Sequence, residues 1–184
     1  MAEPKDILLE NLKETLKGAE RYFLSGIVSA LFILLLALRG QLAAGAVEQE
    51  VKVPIIDISA PTFSAAFIAL AIYTLSGWMI FSVVNHAKQI KVELTRLKGN
   101  DLLDAALTYP STLTTGKYMP VLATLLVAAL GTIAMLVSYY DSNGLQSAVT
   151  TGLIVSHPYF IVAIYLLRLP LAEPSKTPPS DDST

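Results

Sequence analysis

The chain has no cysteine. That excludes disulfides, thiol chemistry, iron–sulfur ligation and any cysteine-based zinc site. Charge is also scarce: 15% of the 184 residues are Asp, Glu, Lys or Arg, while 53% are hydrophobic. Soluble domains carry about 25% charged residues, so too few groups are present to cover a water-facing surface. Histidine occurs only twice, as His86 and His157. The phosphate-binding GxxxxGK[ST], dinucleotide-binding GxGxxG, metalloprotease HExxH and hydrolase GxSxG patterns are all missing. No catalytic residue, cofactor, metal ligand or nucleic-acid partner is expected.

Four long uncharged stretches are present: residues 22–38, 62–85, 120–140 and 145–167. Roughly 20 apolar residues at 1.5 Å rise cross a hydrocarbon core of about 30 Å. A water-soluble bundle would need polar stripes at helical spacing, and these stretches are apolar all round. The expected class is therefore an all-α membrane protein. It has four transmembrane helices at about 22–46, 62–86, 120–140 and 146–168, so the lipid bilayer is its first partner. The first stretch follows a charged, acid-containing segment of about twenty residues and does not read as a cleaved leader. Eleven of the thirteen Lys and Arg residues fall on one side of this topology; Arg39 and Lys52 alone fall on the other. The positive-inside rule places both termini and the 87–118 loop in the cytoplasm.

Residues 1–20 read as a cytoplasmic amphipathic helix, with Pro4 in its first turn and Leu9, Leu12, Leu16 and Ala19 at helical spacing. It either lies on the inner leaflet or runs on into the first span. After span two, Ala87, Ile90, Leu94 and Leu97 keep one apolar face beyond the membrane, a helical extension that needs a partner. The N-terminal helix is the obvious one. Gly99 is placed to stop this extension, and Asp101 to cap a short helix, 102–107. The run Ser111, Thr112, Thr114 and Thr115 reads as an ordinary polar loop, in preference to a phosphate site. Asn143-Gly144 supplies a tight turn between spans three and four. The tail, 170–184, is rich in Pro, Ser and Asp and reads as disordered.

His157 is the strongest single candidate. An ionisable side chain inside a span is costly and is by default a functional hypothesis. The adjacent Pro158 deprives the Ile154 carbonyl of its helical donor. A proton- or ligand-responsive kink is one reading. The plainer one is a neutral histidine bonded to a neighbouring span, because no Asp or Glu lies within the spans to pair with it. His86 reads as interfacial, and at a different depth from His157. Most tyrosines fall near span ends, where aromatic belts form. Tyr73 and Trp78 lie deeper and mark a helix contact. Ser64, Ala65, Ala69, Ser76, Gly77, Ala128, Ala129 and Gly131 permit close helix approach.

The connection between spans one and two contains VKVPIIDISAP, residues 51–61. Pro54 and Pro61 disfavour helix at Val53 and Ala60, and the β-branched residues suit an extended chain. Its isoleucines are expected to bury against the bundle mouth, the headgroups or a neighbouring subunit. Asp57 needs a donor, for which Lys52, Arg39 or a backbone amide could serve. The segment reads as a lid packed for stability, with a plug or strand-pairing element as the functional alternative. The string Pro54-Ile55-Ile56-Asp57-Ile58-Ser59-Ala60-Pro61 also resembles a linker after the first span of assorted bacterial multi-pass membrane proteins. There it runs Pro, two apolar residues, Asn or Asp, an apolar residue, two variable positions, Pro. The resemblance implies a bacterial inner-membrane setting and carries no catalytic residue.

The function that fits is non-enzymatic: an accessory or scaffold subunit, or a homo-oligomer, within a larger membrane complex. The alternative is an oligomeric channel or pore gated from the cytoplasm. A lipid-modifying enzyme ranks third.

Overall fold

The computed structural model describes residues 4–42, 46–97, 111, 113–114 and 118–168. The expected short helix after Asp101 and the tail, 170–184, lie outside the described residues. Four long apolar helices pack as a bundle, and each is long and apolar enough to cross a membrane. Helix α1 spans Pro4–Leu38 and α2 spans Thr62–Arg96. One helical stretch, Met119–Arg168, holds the last two spans, Met119–Ser138 (α3) and Gly144–Arg168 (α4). Strands β1 (Glu50–Val53) and β2 (Ile58–Pro61) form an antiparallel hairpin between α1 and α2.

Sequence left two courses open for the N-terminal helix, and the structure takes the continuous one. At 35 residues, α1 is about 52 Å long. A hydrocarbon core of about 30 Å leaves roughly 20 Å outside, and α2 has the same excess. The two protruding halves meet. Leu12, Leu16 and Ala19 of α1 share one buried core with Ala87, Ile90 and Leu94 of α2. Leu113 enters that core fully buried, and Ser111 and Thr114 are buried beside it. Part of the polar loop is thus packed inward: the Thr114 amide bonds Ser111 O at 3.0 Å, closing a tight turn.

Helix α1 stops at Leu38, short of the expected residue 46. Gly40 takes φ 68°, its amide bonds Ala37 O at 2.9 Å, and the Gln41 amide bonds Leu36 O at 3.0 Å. A left-handed glycine with these two bonds satisfies the last helical carbonyls and turns the chain away. Between α3 and α4 the turn is made at Gly144 alone (φ 75°, ψ 164°). That residue folds α4 back along α3. A side chain on Gly152 would meet Thr132 at 3.0 Å.

The two-helix stalk yields the first prediction. Leu12→Ala and Leu16→Ala should each destabilise the protein by about 3 kcal/mol, the usual cost of emptying a filled core site. The loss should appear as lower thermal stability in detergent and faster hydrogen exchange over 87–97. Unchanged exchange there would show that α1 does not clamp the α2 extension.

Candidate functional site

Three places hold the chemistry: the hairpin, the outer flank around His157, and a buried cluster at the centre of the bundle. In the hairpin, Pro54 opens a four-residue turn and Pro61 ends β2 directly before α2. Ile55 lies at φ 77° and Asp57 at φ 57°. The Ile56 amide bonds Pro54 O at 2.9 Å and the Asp57 amide bonds Val53 O at 3.1 Å. A three-residue turn centred on a β-branched residue at positive φ is a strained conformation.

Asp57 meets Lys52 at 2.7 Å, but both side chains are well exposed. Water screens such a pair, which contributes about 0–1 kcal/mol. Within this single chain the isoleucines do not bury against the bundle mouth: Ile55, Ile56 and Ile58 stand 40–53% exposed. Val53 and Ala60 bury instead, against Ala65 with Phe32 and Ile68 around them. Val51 faces Ala60 and Val53 faces Ile58 across the ladder, so these four share one face; Val53 and Ala60 bury, whereas Ile58 flanks the turn and stays exposed with Ile55 and Ile56. Thr62 fastens that base: its fully buried hydroxyl donates to Gln49 O at 2.8 Å.

Among the described residues His157 makes no hydrogen bond to another span. Its Nδ1 lies 2.6 Å from Ile154 O, the carbonyl that Pro158 leaves without a helical donor. The imidazole faces outward and is exposed, with its ring 5.3 Å from Trp78 on α2. Pro158 itself is buried, and a Cβ on Gly77 would meet it at 2.8 Å. His86 lies at the other end of α2. It borders a groove of about 520 Å³ with Asn11, Glu14, Thr15, Tyr22 and Ser82. Nearby, Lys88 Nζ stands 3.5 Å above the Tyr165 ring, and Tyr165 Oη donates to Asn85 Oδ1 at 3.0 Å. These contacts tie α2 to α4 where both leave the apolar region.

The central cluster has the tightest geometry. Tyr73 Oη is 3.1 Å from Val127 O and 3.0 Å from Ser156 Oγ. Thr132 Oγ1 is 3.3 Å from the same serine. Tyr159 Oη donates to Tyr73 O at 2.9 Å, and the two rings lie 4.8 Å apart. Both tyrosines are almost completely buried. A helical side chain covers the turn N-terminal to its own Cα. A glycine four residues on therefore leaves a carbonyl open to a second donor. Gly131 follows Val127 by four, and Gly77 follows Tyr73 by four. A Cβ on Gly131 would overlap the Tyr73 hydroxyl, and one on Gly26 of α1 would overlap that of Tyr159.

Sequence reasoning singled out Tyr73, Gly77 and Gly131 but gave Tyr159 no role of its own. The missed signal was the four-residue offset of each glycine from a carbonyl that a buried tyrosine could reach. The cluster is a closed set of hydroxyls and carbonyls, suited to holding helices. The remaining α3 hydroxyls are occupied locally: Thr124 donates to Pro120 O at 2.6 Å and Ser138 to Ala134 O at 2.7 Å. Such back-bonding leaves no polar stripe along α3.

Tyr73→Phe should cost about 1 kcal/mol, the scale of interhelical hydrogen bonds within membranes, in reversible unfolding from mixed micelles. An unchanged stability would mean that the hydroxyl contributes nothing to helix association. Compared with family models, curated proteins and solved structures, the chain finds no match, and its functional reading stands on this geometry.

Proposed function

We propose that this multi-pass membrane protein is non-enzymatic and acts through assembly, as an accessory or scaffold subunit or a homo-oligomer of a bacterial inner membrane. Both termini and the 87–118 loop lie in the cytoplasm in this reading, as the distribution of Lys and Arg favours. The observation that carries the proposal is the stalk formed by α1 and α2. Two helices leave the membrane together, locked through Leu12, Leu16, Ile90 and Leu94. Their outer faces display Glu10, Lys13, Glu14 and Lys17 on α1 and Lys91, Glu93 and Arg96 on α2. A paired stalk of this kind is stiff and charged on both sides. It presents a fixed surface to another protein at little ordering cost. The bacterial inner-membrane setting rests on the resemblance of Pro54–Pro61 to the bacterial linker.

Light scattering on the detergent-solubilised full chain, with the detergent mass subtracted, tests the proposal. A discrete oligomer or a stoichiometric co-purifying protein is expected. Charge reversal at Lys13 and Lys17 should reduce partner recovery several-fold while leaving helical content intact. A strictly monomeric species without a partner, at every concentration and in every mild detergent, would contradict the proposal.

A further inference from the structure

The outward-facing pair on α2 and α4 extends the assembly reading, on which it rests. His157 lies near the middle of Gly144–Arg168, at a depth where hydrocarbon surrounds a single copy. A carbonyl oxygen only accepts hydrogen bonds, so the 2.6 Å contact with Ile154 O puts the ring proton on Nδ1. Nε2 then presents its lone pair to the outside, without a partner among the described residues. Trp78 supplies the complement. It is 42% exposed, its ring packs edge-on against His157 at 5.3 Å, and its indole N–H forms no hydrogen bond among the described residues. An acceptor and a donor thus stand side by side, at one depth, on one flank.

Lipid tails can satisfy neither group, and polar side chains within spans face protein or water. Two copies in one membrane share orientation, so a two-fold axis along the membrane normal brings groups of equal depth together. Such an interface pairs residue i with j and j with i. We infer that a second copy of this chain docks on the Trp78–His157 flank. Trp78 Nε1–H of each copy donates to His157 Nε2 of the other. Leu75 and Ile154, both more than 60% exposed on the same flank, pack around the two bonds.

The test uses the full chain in nanodiscs and detergent. The absence of native cysteine lets single cysteines report contacts without background. Leu75→Cys and Ile154→Cys should cross-link to dimers under mild oxidation much faster than Leu35→Cys, on the exposed face of α1. His157→Leu and Trp78→Phe, each tested for unchanged helical content, should each weaken dimerisation about tenfold, since either removes both reciprocal bonds. The double variant should add little. If the chain self-associates with neither substitution having an effect, or cross-links fastest through Leu35→Cys, this inference fails while the assembly reading stands. If His157→Leu releases a different protein and no homodimer is found, the second copy is the wrong occupant. A monomer without any partner would overturn the inference and the assembly reading together.

Discussion

Each of two buried tyrosine hydroxyls caps a helical carbonyl that a glycine has left uncovered. Tyr73 reaches Val127 O across the face opened by Gly131, and Tyr159 reaches Tyr73 O across the face opened by Gly77. Burying a hydroxyl in an apolar setting without a partner is costly. With the tyrosines placed inward, the observed arrangement of the helices satisfies both hydroxyls. Gly26 brings α1 against Tyr159, and Ser156 and Thr132 complete the set from α4 and α3. All four spans are fixed around one point.

Other features follow from that arrangement. Close packing of α2 against α3 and α4 turns the rest of the α2–α4 flank outward, with Trp78 and His157 upon it. Pro158 buries against Gly77, so the kink that uncovers Ile154 O belongs to the same contact that seats Tyr159. At one end of the bundle, the excess length of α1 and α2 has no membrane to occupy and zips into a stalk around Leu12, Leu16, Ile90 and Leu94. At the other end, Thr62 secures a hairpin whose strained turn carries exposed isoleucines.

Much of this was legible in the sequence, because hydrophobicity over twenty residues is a strong signal and a membrane permits few answers. The four spans, the helical extension past Asn85 and its partnership with the N-terminal helix came from charge-free runs and residue spacing. The hairpin was less visible. Its turn places Ile55 and Asp57 at positive φ, where glycine or asparagine would announce a reversal. Against the bundle mouth the isoleucines do not bury: Ile58 shares a face with Val53 and Ala60 by register, but it flanks the turn and stays exposed. His157 was expected to bond across helices; the carbonyl freed by its own proline was closer. Tyr159 was missed because its role depends on Gly77 and Gly26, which sit on other helices and are distant in sequence.

The claim that the tyrosine–glycine contacts hold the bundle is tested most directly by a double-mutant cycle between Gly131 and Tyr73 in reversible unfolding from mixed micelles. Gly131→Ala should cost about 2 kcal/mol in the native background, the scale of overpacking a filled site. In a Tyr73→Ala background the added methyl should meet open space and cost close to nothing, giving a coupling of similar size. Equal costs in both backgrounds would contradict the account, because Gly131 would then matter for some reason other than admitting Tyr73.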